Sequence, residues 1–377
     1  MRKSLSIILV FVFAISIFVF ESCVKKQDNA VKIGVIIPLS VQWSDYGEQM
    51  KNGIDLWIKN NPDSKVKIIY EDGEALPKKS VSAFNLLISK DIKALITGFS
   101  GVVLSLAPIA ERNSIPLLNG GATNPNIKKS GSYIFNVVPD AEIEASFIAT
   151  FLKDSLNLKN CFIYWQNNDA GKGMKDFFKN KYIEIGGHII GELSHNIDQQ
   201  DYKNDLSQIK SKDPKVIFVP TYSKDLGLII KQATDIGIKD VLWVGYAATE
   251  TKDVINIAAE RLNGKLIYSY YSFDIENQQD EKMKKFVIDF QKEYQQQPGL
   301  YSATFYDAIS IIDSAIKSDK NIKDYIYGLN IFNGVSGKLR FNHRNYITSG
   351  MKMKIIYDNQ FKNFNKNYLN VHGIANE

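Results

Sequence analysis

Cysteine is scarce: two in 377 residues cannot build a disulfide framework. Histidine is nearly as rare, with four scattered copies and no H-E-x-x-H run, so no metal site is expected. An excess of one charge is missing too. Lysine plus arginine number 46 against 41 aspartate plus glutamate, a balance of +5, without the basic stripe of a nucleic-acid protein. Ten prolines and 24 glycines exclude collagen-like or linker-like chains, and 45% hydrophobic residues exclude wholesale disorder. No repeat of 20–50 residues and no low-complexity tract is present.

Catalytic signatures are also missing. Gly98-Phe99-Ser100-Gly101 lacks the G-x-S-x-G order of a nucleophile elbow. There is no phosphate loop and no G-x-G-x-x-G fingerprint, so no cofactor is expected, and Gly171-Lys172-Gly173 reads as the start of a helix. The histidines at 188, 195, 343 and 372 are expected at the surface or at strand edges. These absences favour a binding protein over an enzyme.

One long apolar run exists. Residues 5–20 carry no charge and follow Arg2 and Lys3, which is the pattern of a secretory signal. The run is short for a membrane span, which needs about 20 residues. Ser22 before Cys23 resembles a bacterial lipoprotein lipobox, with Phe20 where leucine is usual. That resemblance implies a signal peptide over 1–22, a lipidated Cys23, a polar tether over 23–30 and an exported chain held on the membrane by acyl chains. Each buried methylene contributes about 0.8 kcal/mol to such anchoring. The other reading is an uncleaved anchor with an incidental cysteine. Cys161, in an apolar segment, reads as a buried strand thiol.

The body alternates strands and helices. Strands are expected over 31–39, 65–70, 94–97 and 115–118, with helices over 46–60, 78–89 and 102–112. The pattern then restarts. Helices over 142–156, 173–185, 202–211, 224–237 and 252–261 alternate with strands over 161–165, 188–193, 216–220, 241–244 and 266–271. Helices over 280–296 and 302–317 follow, then strands over 338–341 and 353–357. Such alternation gives parallel sheets covered by helices on both faces, and the length suits about two domains.

Three segments together resemble the leucine/isoleucine/valine-binding protein family, the type I periplasmic substrate-binding proteins of ABC importers. The first is Ile33-Gly34-Val35-Ile36-Ile37-Pro38-Leu39-Ser40 with Tyr46-Gly47. The second is Ile96-Thr97-Gly98-Phe99-Ser100-Gly101, leading to Ala107-Pro108-Ile109-Ala110-Glu111. The third and most specific runs from Ile115 through Asn119-Gly120-Gly121-Ala122-Thr123-Asn124-Pro125. The resemblance spans about 31–310 and implies an α/β fold of two doubly wound parallel-sheet lobes joined by a three-crossover hinge. Lobe one would hold 31–138 plus 273–335, and lobe two 139–272 plus 336–377. The implied partners are a small-molecule ligand, an amino acid or small carboxylate, and the permease subunits of an ABC importer, at the periplasmic or extracytoplasmic face.

In open parallel sheets ligands sit beyond the carboxyl ends of the strands. Ser100 and Gly101 precede an expected helix, whose free N–H groups and dipole attract an anion. Thr123 adds a hydroxyl, and Gly121 and Ala122 shape the neighbouring loop. In the family these positions grip the ligand's α-carboxylate; otherwise Ser100 and Thr123 are plain caps and turn residues. Tyr46 and Tyr222, and less firmly Trp43 and Tyr246, fall past strand ends and are expected to wall the site. Two departures from the family stand out. Ala170 replaces a common tyrosine, and Tyr246, Ala247 and Ala248 follow Gly245 where amino-acid binders place an acid for the ligand's ammonium. Either Asp169 or Glu250 substitutes, or the ligand has no ammonium, because an unpaired buried ammonium is costly. The family's lobe-one disulfide cannot form here. The central expectation is two lobes closing on a solute whose negative end meets Ser100 and Thr123.

Overall fold

A computed structural model describes residues 30–197, 199–271, 273, 280–341, 347, 350–372 and 374. The expected signal peptide, Cys23 and His343 lie outside the described residues, as does the tether except for Ala30.

Five parallel strands form sheet one: β1 (Val31–Ile37), β2 (Val66–Asp72), β3 (Ala94–Thr97), β4 (Leu117–Asn119) and β5 (Ile134–Asn136), in the order β2-β1-β3-β4-β5. Sheet two repeats that winding with β6 (Asn160–Gln166), β7 (His188–His195), β8 (Val216–Phe218), β9 (Leu242–Gly245) and β10 (Leu266–Tyr271), in the order β7-β6-β8-β9-β10. The strands read as continuous apolar runs because both faces are buried. In β1, Ile33, Val35 and Ile37 enter one core while Ile36 enters another. In β8, Val216 and Phe218 face one way and Ile217 the other.

Helices α1 (Ser44–Asn60), α2 (Pro77–Ser89) and α3 (Ser100–Arg112) connect the strands of sheet one. Residues 137–140 cross to the second half. There Asp140 accepts the N–H groups of Glu142 and Ile143 and caps α4 (Ala141–Thr150). Then come α5 (Asp169–Glu184), α6 (Lys203–Lys210), α7 (Ser223–Asp235) and α8 (Lys252–Ala258). After β10 the chain forms α9 (Glu281–Tyr294), α10 (Leu300–Lys317), α11 (Ile322–Tyr327) and the hairpin β11 (Ile331–Gly334) with β12 (Gly337–Arg340). It ends on sheet two, where β13 (Met351–Tyr357) pairs antiparallel with β10 and β14 (Gln360–Asn363) pairs with β13.

The helices α9 and α10 fold back onto α1. The Tyr294 hydroxyl donates to the Asn52 carbonyl at 3.1 Å, and Thr304 Oγ1 donates to the Gly120 carbonyl at 2.7 Å. The α1–α10 approach is so close that a β-carbon on Gly53 would sit 2.1 Å from the Ser302 carbonyl oxygen. Gly53→Ala should therefore cost about 1–3 kcal/mol by overpacking, read as a lower midpoint in chemical denaturation.

Several boundaries differ from the sequence reading. Helix α3 starts at Ser100, two residues before the periodic run, and α5 starts at Asp169 rather than Gly173. The short elements β5, α11, β11 and β14 were not expected from the pattern. His195 ends the edge strand β7, as one of the two expectations had it, but is buried rather than at the surface. It packs between Tyr164 and Tyr202, and burial pushes it down to about 4, so it stays neutral. Cys161 is free and buried, its thiol pushed up to about 12 by burial. Among the described residues no helix is long and apolar enough to cross a membrane.

Candidate ligand-binding cleft

Loops at the carboxyl ends of both sheets meet around one small, partly open cavity. Met50, Phe99, Ser100, Gly121, Thr123 and Tyr301 line it from the sheet-one side, and Ala170, Tyr222 and Tyr246 from the sheet-two side. Its volume is about 10 Å³, room for about one water. The two halves are thus closed on each other, with aromatic rings filling most of the gap.

Four helices begin at this cavity, and their amino ends give it positive character. The start of α5 is capped by Asn168, whose Oδ1 accepts the Gly171 N–H at 2.7 Å. The starts of α3, α7 and α10 have no side-chain cap. Phe99, just before α3, holds φ 65° and ψ 124°. That backbone costs a non-glycine residue roughly 1–3 kcal/mol, and such strain concentrates at functional sites. It turns the chain so that Ser100 opens the helix. The Ser100 hydroxyl accepts the Asn124 N–H at 3.2 Å, which leaves its own proton to donate.

Thr123 lies beside it on the loop after β4. Among the described residues, the hydroxyls of Thr123, Tyr222, Tyr246 and Tyr301 have no hydrogen-bond partner, although all four residues are at least nine-tenths buried. Burial raises the three phenols well above their ordinary pKa, so they remain neutral donors. The Asn119 side chain shapes the loop. Its Oδ1 accepts the N–H groups of Gly121 at 3.1 Å and Ala122 at 2.7 Å. Those two amides are therefore already engaged. Gly121 lines the cavity because only hydrogen leaves room for the Tyr301 ring, 3.0 Å from where a β-carbon would stand. Ala122 is buried behind it and does not line the cavity.

Three other candidates do not line the cavity. Tyr46 joins the halves: its hydroxyl donates to the Ala248 carbonyl at 2.8 Å and accepts the Ser223 N–H at 3.0 Å. Trp43 stands outside the cavity, edge-on to Tyr222 at 4.6 Å between ring centres. Glu250 does not face the cavity. It is paired with Lys354 of β13 at 2.6 Å and accepts the Tyr268 hydroxyl at 2.6 Å. Asp169 lies at the rim. Its carbonyl accepts the Asn124 amide at 2.9 Å, and its carboxylate oxygen is 3.1 Å from where a β-carbon on Gly101 would stand. Gly101 itself does not line the cavity; the absence of a side chain there makes room for Asp169.

The sequence reading did not single out Tyr301, Phe99 or Met50 as site residues, nor Glu144. Glu144 is fully buried behind the cavity, where its Oε1 accepts the Ala247 N–H at 2.8 Å and the Ser269 hydroxyl at 2.6 Å. It ties the first turn of α4, next to the 137–140 crossover, to strand β10 and to the loop bearing Tyr246. Burial pushes its carboxyl up to about 7.

Because Tyr46 links the two halves directly, Tyr46→Phe should destabilise the closed shape by about 1–3 kcal/mol. The check is small-angle scattering of the ligand-free variant. A larger radius of gyration than wild type is expected, with an unchanged far-ultraviolet circular dichroism spectrum.

Two doubly wound lobes with facing strand ends and a cleft between them define a type I solute-binding protein fold. Comparison with known proteins agrees. A family model described as periplasmic binding protein matches residues 30–351, and the chain belongs to that family. The Leu/Ile/Val-binding protein homolog 1 of Brucella suis is 24% identical over 298 residues, covering 76% of this chain and 78% of the relative. A leucine-binding protein from Thermotoga maritima superposes with a TM-score of 0.84 at 23% identity, over 89% of this chain and 98% of that one. A solute-binding protein from Rhodopseudomonas palustris, solved with 3,4-dihydroxybenzoic acid, gives 0.79 at 21% identity, over 89% and 96%. The family is extracytoplasmic and in general non-enzymatic, and solute binding is its general role.

Proposed function

We propose that the chain is the solute-binding lipoprotein of an ABC importer, held at the membrane surface by a lipidated Cys23, and that it captures an amino acid or related small carboxylate between its lobes. The lobes are taken as 31–138 plus 273–335 and 139–272 plus 336–377, hinged at the crossovers. The observation that carries this reading is the ring of helix amino ends around buried, unpartnered hydroxyls at Thr123, Tyr222, Tyr246 and Tyr301. A carboxylate there would accept from Ser100, Thr123 and the first N–H groups of α3, each a charge-assisted bond. The cavity of about 10 Å³ admits no such solute, so binding requires the lobes to part and then close on it. The loaded, closed form would dock on the permease.

The same closed cleft favours a second reading, an envelope lipoprotein with an inert cleft. Thermal melting against a panel of amino acids and small carboxylates separates them. A ligand present at about 100 times its dissociation constant should stabilise by roughly 2.7 kcal/mol. No shift across a broad panel would reject the transport reading in favour of the inert cleft.

A further inference from the structure

The chemistry around the cavity narrows the ligand further, an inference that rests on the carboxylate-binding reading above. Among the described residues, no side chain that lines the cavity is charged. Two nearby acids, Glu250 and Glu144, are already committed. Glu250, placed after β9 where a counter-ion for an ammonium would be useful, is neutralised by Lys354 and bonded by Tyr268. Lys354 is itself buried and sits over the Tyr270 ring at 4.5 Å, so the pair is fixed within lobe two. Glu144 accepts from Ala247 and Ser269 on Oε1 and from the Tyr271 hydroxyl on Oε2 at 3.4 Å. Asp169 lies over the amino end of α3, on the side where a ligand's own carboxylate would sit, and does not line the cavity.

An α-ammonium closed into this space would lose its hydration without gaining an anion, which is costly. An aromatic ring would fare differently. Tyr222 touches Trp43 edge-on and Phe99 at a tilt, with ring centres 4.6 and 5.7 Å apart. A flat guest can slot among such rings by edge-to-face contacts. The free phenol groups of Tyr222, Tyr246 and Tyr301 would meet a polar substituent on that guest. We infer that the cleft selects carboxylates that carry an aromatic ring and lack an ammonium group, and that the Lys354–Glu250 pair withdraws the acid that would otherwise serve an amino acid.

The test is isothermal titration of the purified full chain at neutral pH with matched pairs that differ only in the ammonium. The pairs are phenylalanine with 3-phenylpropanoate, tyrosine with 3-(4-hydroxyphenyl)propanoate, and leucine with 4-methylpentanoate. The deaminated aromatic member should bind about tenfold more tightly or better in each aromatic pair, and 3-phenylpropanoate should bind more tightly than 4-methylpentanoate. Phenylalanine or leucine binding as tightly as its deaminated partner would overturn the inference. If that binding also fell in Asp169→Asn, Asp169 would be identified as the counter-ion. The carboxylate-binding reading would survive such a result provided Ser100→Ala weakened the same ligand. If no compound of any pair bound, or if Ser100→Ala left every affinity unchanged, that reading would fall together with the inference.

Discussion

Removing the two hydroxyls proposed to meet the ligand's carboxylate, as Ser100→Ala with Thr123→Val, should weaken binding of any panel carboxylate by roughly 100- to 10,000-fold. Each hydrogen bond to a charged group contributes about 1.5–3 kcal/mol, and tenfold in affinity is about 1.4 kcal/mol. The effect is large because the site is closed: a carboxylate deprived of its donors there cannot recover them from water. Thr123→Val keeps the volume and removes only the donor. Ser100→Ala also leaves the Asn124 N–H without its acceptor, so a melting curve of the unliganded variant must accompany the titration. The expected pattern is a modest loss of stability and a far larger loss of affinity. Equal affinities for variant and wild type would place the carboxylate elsewhere.

The second large effect belongs to Glu144. Replacing it with leucine should cost about 2–5 kcal/mol, because the Ala247 N–H and the Ser269 hydroxyl would be left buried without an acceptor. Its titration gives a further signature. The folded carboxyl is raised by burial to about 7 from an ordinary 4.5. Between those values the unfolded chain releases a proton that the fold retains, so this group's contribution is fully present below pH 4.5 and is lost as pH rises to about 7. Glu144→Gln mimics the protonated form. The stability advantage of wild type over Glu144→Gln should therefore shrink by about 3 kcal/mol from pH 4.5 to 7.5, at about 1.4 kcal/mol per unit. Denaturant titrations at several pH values measure it, and a difference independent of pH would refute the assignment.

Much of the architecture was legible because the strands are apolar on both faces and the helices are bounded by readable turns. Ile33, Val35, Ile36 and Ile37 announce a doubly covered strand whatever lies around them. The shifted helix starts have local causes. Phe99 adopts a backbone that propensity assigns to glycine, so the helix begins at Ser100 before the apolar periodicity does. In α5 the glycines at 171 and 173 obscured a start that the Asn168 cap in fact sets. Among the cavity-lining residues, Ser100, Thr123, Tyr222 and Tyr246 could be expected together from their places after strand ends. Tyr301 could not, because it reaches Gly121 only through the return of α10 onto sheet one. Glu250 looked available until β13 brought Lys354 beside it, a pairing across about a hundred residues that no local pattern encodes. Tyr46 does not line the cavity; its hydroxyl joins Ala248 and Ser223 because the uncapped start of α7 comes within its reach.

The most direct measurement is a crystal structure of the chain with whichever panel compound raises the melting temperature most. The compound should lie between the lobes with its carboxylate within about 3 Å of the Ser100 and Thr123 hydroxyls, a normal hydrogen-bond distance. The rings of Tyr222, Tyr246 and Tyr301 should have moved aside to enclose it. A compound bound away from the cleft, with those rings still lining the same small cavity, would contradict the account.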